Sequence, residues 1–443
     1  MSMASPEWVS FVRRACYVHR VRVLLVVVSA LTLVLPATSV ANVPPEAGRA
    51  AIAEVAAWGV HGTVNLAAMT VSGLAQDSEG RVIALGYGER DGSSHGIVVA
   101  LGRDGSPDPS YGRGGYFLSS HLSTIGWNQA LALPDGGLVI AGSSRWGDID
   151  SESKFALGEL DAHGRLVRSF AADGLYQAAD ASCLRGERGM ALEGHKIVVA
   201  VAQECKEGDP LSIELVRFNA NGSLDKAFGT DGVASVLQLP WYAGADTPLL
   251  VVGDHILAAS QSASRGAAEL IRFTANGALD PSFGNGGTAS AQVAPDSSGP
   301  PGSQASVFSL FLAKLGRYTI GGCTSAGPFI ARFNEGGSPY LFWPGGANNQ
   351  RTNVEEFGGA FGDTANCAYI AQLPDYQLAV AGAALFRLET GGKLNPFQPM
   401  LILPDPHGHA GTRKLLVTRA GALIVATNPL SGGGPSILTA YHF

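Results

Sequence analysis

"ELVRFNANGSLDKAFGTDGVAS", Glu214 to Ser235, returns 55 residues later as "ELIRFTANGALDPSFGNGGTAS", Glu269 to Ser290, with 14 of 22 positions identical. Each copy has the same grammar. A strand ends in Arg-Phe, an Asn-Gly turn follows, and Leu-Asp-x-x-Phe-Gly-x-x-Gly leads into another strand. Short apolar runs separated by Gly turns read as antiparallel strands.

Looser copies surround this pair. The aromatic position recurs at Tyr111, Phe170, Phe228, Phe283, Phe342 and Phe397, in steps of 55 to 59 residues. A second element sits between these positions: an apolar run, a tight turn and another apolar run ending in Gly or a small residue. "ALALPDGGLVIAG" and "IAQLPDYQLAVAG" are examples, and seven copies occur. Each unit therefore holds four strands. One such unit cannot bury both of its faces, whereas units stacked radially around an axis can.

The last copy, from Lys414 to Phe443, supplies only three strands. "AAWGVHGTVNL", Ala56 to Leu66, matches the missing fourth, with Trp58-Gly59 at the aromatic-Gly position. The expectation is an all-β, seven-bladed β-propeller of four-stranded antiparallel blades. It is closed by pairing of the N- and C-terminal segments in one blade, which removes an exposed edge. The boundaries read as a signal peptide over 1–41, a flexible leader over 42–55 and the propeller over 56–443. Within it, 56–66 closes the last blade, and the blades span about 67–118, 127–177, 183–237, 246–293, 305–347, 366–402 and 412–443.

The "RFNANGSLDKAFGTDG" and "RFTANGALDPSFGNGG" segments resemble the delta-60 repeat, a bacterial repeat with propeller architecture. The two central copies carry the resemblance and the outer ones are degraded forms. It implies an exported bacterial protein and a propeller fold. The family has no agreed activity, so the resemblance transfers no catalytic residue.

The N-terminus supports export independently. Arg13, Arg14, Arg20 and Arg22 precede the apolar run Val23–Leu35, and small residues follow at Ser39 and Ala41. This is the order of a cleaved signal peptide, and the run is short for a membrane span. Cleavage would remove four Arg and Glu7, leaving the rest more acidic than the formal −7 of the whole chain. An acidic chain lacks the basic face that nucleic acid needs. The expected product is a periplasmic or secreted monomer with no stable membrane insertion.

Four of the five cysteines lie beyond that leader: Cys183, Cys205, Cys323 and Cys367. An even number in an oxidising compartment points to two disulfides. Cys183 and Cys205 fall at adjoining ends of one hairpin, and Cys323 with Cys367 remains by elimination. No C-x-x-C pair suggests zinc.

Function is expected on one end of the propeller. The turns between strands 1 and 2 and between strands 3 and 4 are short and stereotyped. The connections at the other end are long and dissimilar, as recognition loops on rigid scaffolds usually are. Trp127, Trp241, Tyr242, Arg351, His407 and His409 fall there and are the candidate ligand-binding residues. The partner classes are an exported protein, a peptide or a glycan.

The rival reading is a propeller enzyme of lactonase, lyase or quinoprotein type with its site at the channel mouth. Such sites place charged groups on the innermost strands, which here are mostly apolar except for Glu187, Arg188, Arg413 and Lys414. Binding is favoured over catalysis. No catalytic residue, metal or cofactor is assigned. Calcium needs six to eight converging oxygens, and Asp108, Asp225 and Asp280 are read instead as turn-fixing residues. "GSSHG", Gly92 to Gly96, has β segments on both sides, whereas a nucleophile elbow needs a following helix.

Overall fold

The Asn-Gly turns and aromatic-Gly pairs of the repeat are the parts that join one sheet to the next. A computed structural model describes residues 53–442, apart from 68, 91, 120–124, 145–153, 180–182, 205–211, 239–245, 263–265, 294–304, 325–326, 342, 345–350, 353, 357–368, 374–377, 382–383, 389–400, 403–409 and 430–434. Among them, β-strands account for almost all regular structure.

Six sheets have four antiparallel strands each, in simple meander order. They begin at Thr70 (blade 1), Ile125 (blade 2), Leu184 (blade 3), Leu249 (blade 4), Ser306 (blade 5) and Tyr369 (blade 6). The expectation of seven four-stranded blades is therefore corrected to six. What remains is a five-stranded closing sheet. It contains Ala410–Val417, Leu423–Pro429 and Ser436–His442, and the last of these pairs with both Ala53–Glu54 and Thr63–Leu66. The extra strand arises because the segment before Trp58 also reaches the edge of Ser436–His442, where the repeat pattern marks only the segment after it. Blade 5 also departs from its expected span. Its fourth strand is Val354–Glu356, and Trp343–Pro344 pairs separately with Arg351–Thr352.

The first strands of successive blades lie side by side, and the closing sheet's first strand adjoins blades 6 and 1. These strands form the inner wall. The apolar core lies between sheets, in layers shared by neighbours. Blades 3 and 4 enclose Val198, Ala200, Leu215, Phe228, Ile256 and Phe273. The closing sheet and blade 1 enclose Trp58, Val64, Val71, Val99, Leu438 and Ala440. A buried polar knot fixes the same joint. Asn428 Nδ2 donates to the Val71 carbonyl at 2.7 Å, and Ser436 Oγ donates to the Met69 carbonyl at 2.7 Å.

The latch between blades is repeated. The residue after each buried aromatic donates its N–H to a carbonyl in the next sheet's turn: Gly59 to Asp104, Gly112 to His163, Ala171 to Asn221, Gly229 to Asn276 and Gly284 to Gly336, at 2.6 to 2.8 Å. The preceding rings of Trp58, Tyr111, Phe170, Phe228 and Phe283 are buried. Gly229 needs φ of +53°, and an added Cβ would sit 2.0 Å from the Val233 carbonyl oxygen. On the receiving side, a Cβ at Gly277 would meet the Phe228 ring at 3.0 Å. Turn and ring therefore fit only because the turn residue has no side chain.

Arg217 seals the blade 3 latch. Its Nε donates to Asp225 Oδ2 at 2.8 Å, its Nη1 to Glu193 at 2.7 Å and also to the Ala275 carbonyl of blade 4. Its guanidinium lies 4.4 Å from the Phe228 ring centroid. Arg272 repeats this with Asp280, the Glu335 carbonyl and Phe283. Asp225, Asp280 and Asp108 also accept N–H bonds from Ala227, Ser282 and Ser110, two residues on. These carboxylates are occupied in holding turns and guanidinium groups.

Candidate functional site

The inner strands start at the end that carries the long connections. Near those starts several strands bulge: between Val71 and Gly73, Trp127 and Gln129, Glu187 and Gly189, Val307 and Ser309, and Ala410 and Arg413. A bulge inserts a residue without a cross-strand partner and re-aims the side chains beside it. In blade 3, Glu187 pairs with Val201 and Gly189 with Ala200, so Arg188 is the inserted residue. Two adjacent charged residues are thereby both buried, Glu187 at 6% and Arg188 at 9% exposure.

Their surroundings come from neighbouring sheets. The side chain of Asn128, in the blade 2 bulge, hydrogen-bonds the Glu187 carboxyl, while Glu187 Oε2 has no partner. Burial raises the Glu187 pKa to about 7, opposed by the Asn128 hydrogen bond and the Arg188 charge. Burial lowers the Arg188 pKa, opposed by the charges of Glu187 and Asp246. The Arg188 carbonyl accepts the Thr247 N–H at 2.7 Å, tying the bulge to the entry of blade 4. Arg188 Nε and Nη2, and Thr247 Oγ1, are buried without partners. Asp246 Oδ2 lies 3.1 Å from Lys414 Nζ. Blade 4 and the closing sheet are not neighbours in the ring, so this pair reaches across the mouth of the channel.

The cluster thus combines a carboxyl oxygen, a guanidinium edge and a hydroxyl that are buried without hydrogen-bond partners, together with a bridging ion pair. Charged and polar atoms without partners inside a fold are costly, which makes this end of the channel the candidate site.

The sequence candidates fare differently. Trp127 is corrected from a loop aromatic to a core side chain. It lies on the first strand of blade 2, is fully buried, and packs with Ile83, Tyr111 and Ile140. The inner strand begins at Ile125, before the point where the loop was expected to end. Arg351 lies on the two-stranded ribbon with Trp343–Pro344. Trp241, Tyr242, His407 and His409 lie outside the described residues, as do residues 1–52, whereas Ala53–Glu54, at the end of the expected flexible leader, is a strand. Cys183 and Cys323 are both buried, and Cys205 and Cys367 lie outside the described residues. The Glu204 N–H donates to the Cys183 carbonyl at 3.1 Å, which brings the chain just before Cys205 alongside Cys183. Ser94 of "GSSHG" lies within a β-hairpin, paired with Glu89, with no helix after it.

Asp246 and Thr247 were missed by the sequence reading. The signal available was weak: an isolated acid-hydroxyl pair ahead of the apolar run "LLVV". Asn128 lacked even that, since only the bulge brings it to Glu187.

At the opposite end, a cleft of about 490 Å³ lies between the closing sheet and blade 1, lined by Trp58, Glu79, Arg103, Arg419 and His442 among others. Among the described residues, no group of three or more His, Cys, Asp or Glu is placed to hold a metal ion.

The family model "Domain of unknown function (DUF5122) beta-propeller" matches residues 196–228 and 255–283. These stretches run from the second strand to the latch aromatic in blades 3 and 4. The match supports a propeller-repeat family, and the delta-60 resemblance rests on the repeat residues alone. No curated protein matches the chain. Similar solved structures include a protein of unknown function from Dyadobacter fermentans, at 13% identity and TM-score 0.43, covering 89% of this chain and 100% of its own. Sqt1 from Chaetomium thermophilum has 13% identity and TM-score 0.44, covering 85% and 97%. A Lactobacillus plantarum protein has 14% identity and TM-score 0.40, covering 69% and 82%.

Proposed function

We propose that the chain is an exported propeller module that binds a partner at its long-loop end. The observation that carries this reading is the set of buried, unpartnered polar atoms on Glu187, Arg188 and Thr247 at that end. Closed propellers offer rigid mouths on which loops present recognition groups. Trp241, Tyr242, Arg351, His407 and His409 are the proposed outer contacts, because aromatic and Arg side chains dominate binding hot spots. The partner is an exported protein, a peptide or a glycan. Bridges Cys183–Cys205 and Cys323–Cys367 are proposed to brace the same end.

A propeller enzyme is the second reading, favoured by one observation. A buried carboxyl with a pKa of about 7 beside an Arg suits acid-base work near neutral pH.

The test is capture of partners from cell-envelope and medium fractions by the chain lacking residues 1–41, beside a Trp241→Ala/Tyr242→Ala double variant. Capture by the parent that is lost in the variant, with melting shifted by less than about 5 °C, supports binding. Equal recovery by both proteins overturns the role of these aromatics.

A further inference from the structure

We infer that the Glu187–Arg188 bulge is a recognition site for a small monocarboxylate bearing a hydroxyl on the adjacent carbon. This rests on the reading of the long-loop end as the binding end, and it adds the class of ligand.

The buried atoms that lack partners define the chemistry of the site. Arg188 Nε and Nη2 carry their hydrogens on the same edge of the guanidinium plane. That edge forms two parallel donors, the geometry that matches the two oxygens of a carboxylate. Both donors are buried without partners. The neighbouring acids leave them unpartnered. Glu187 Oε2 is itself unpartnered, and Asp246 Oδ2 is engaged by Lys414. A fixed backbone holds the fork in place, because the Arg188 carbonyl is bonded to Thr247 N–H.

Three further features narrow the ligand. Glu187 Oε2 is an acceptor beside the fork and calls for a donor next to the bound carboxylate, which an adjacent hydroxyl supplies. Thr247 Oγ1 can serve the same hydroxyl or a carboxylate oxygen. Two acids, Glu187 and Asp246, stand near Arg188, so a multiply charged anion is repelled more than a monoanion.

Calorimetric titration tests the assignment, using the chain without residues 1–41. The probes are lactate, propionate (no hydroxyl), lactamide (no carboxylate) and sulfate. Lactate is expected to bind, propionate about tenfold more weakly, and lactamide and sulfate without measurable heat. Arg188→Lys keeps a charge but loses the fork, and is expected to weaken lactate binding at least about tenfold. If that variant does not fold, the order of the four probes on the parent decides. Lactamide matching lactate, sulfate exceeding lactate, no lactate binding by the parent, or an unchanged Arg188→Lys variant each overturns the site. A parent that captures a macromolecular partner yet ignores lactate defeats the ligand class alone. One that does neither defeats the binding reading as well.

Discussion

Lys414 Nζ and Asp246 Oδ2 lie 3.1 Å apart, although they belong to the closing sheet and blade 4, which share no edge. Both side chains are partly exposed, at 23% and 31%. Solvent and salt therefore screen the pair. A double-mutant cycle with Lys414→Met and Asp246→Asn is expected to give a coupling energy of about 0.5–1 kcal/mol by urea denaturation. The coupling should shrink in 1 M salt. A coupling of zero at low salt would show that the contact does not hold the ring.

Glu187 makes stability depend on pH in an unusual direction. Its folded pKa, about 7, lies above the ordinary carboxylate value. The folded chain thus binds this proton more tightly than the unfolded chain, and stability from this group falls as pH rises from about 4.5 to 7. Glu187→Gln should therefore be more stable than the parent at pH 8, by on the order of 1–3 kcal/mol, and nearly equal to it at pH 4. Melting of both proteins at the two pH values checks this. Equal differences at both would remove the titration argument.

The latch carboxylates act the other way. Hydrogen bonds from Lys196 to Asp225, from Ser282 to Asp280 and from Ser110 to Asp108 are the largest causes holding these groups below their usual pKa, with paired Arg adding to them. Their stabilisation is present above the unfolded pKa and is lost as pH falls through the lower folded values. An Asp225→Asn/Asp280→Asn variant is expected to be less stable at pH 7 and to show a flatter loss of melting temperature below about pH 4. A parallel acid limb in parent and variant would contradict this.

Ala171 is a natural exception at the latch. It adopts φ of +46° where Gly59, Gly112, Gly229 and Gly284 stand in the other latches. A left-handed conformation costs a residue with a Cβ roughly 1–2 kcal/mol. Part of that gain is offset by the larger unfolded-state entropy of glycine. Ala171→Gly is therefore expected to raise stability by about 0.5–1 kcal/mol, and Gly229→Ala to lower it by several times as much. Chemical denaturation of the two variants tests the contrast. A neutral Gly229→Ala would mean that the latch tolerates a side chain.

Much of the architecture was legible because its spacing is periodic. Arg217, Phe228 and Gly229 recur 55 residues later as Arg272, Phe283 and Gly284, and each residue type is dictated by the same local contact. Blade 1 is harder to read, since its latch cation is Arg81, from the start of the second strand, where blade 3 uses Arg217 from the third. The extra strand Ala53–Glu54 has no repeat signature, because two residues at an edge need only backbone pairing. The candidate site was less legible still. Glu187 and Arg188 stood out as charges on an inner strand, but Asn128 and Asp246 reach them only through the bulges and the packing of neighbouring sheets. Trp127 was misplaced because its sequence neighbours resemble a loop, while the strand that buries it starts two residues earlier.

The five latches among the described residues point one way round: the closing sheet grips blade 1, blade 1 grips blade 2, and so on until blade 4 grips blade 5. An open repeat array frays from its two ends, since a terminal unit has one neighbour. Here Ser436–His442 is stitched to Thr63–Leu66, so the array offers no terminal unit from which to peel. Hydrogen exchange at the latch amides should then proceed at one common free energy around the circle, that of breaking the whole ring, rather than on a gradient from its ends.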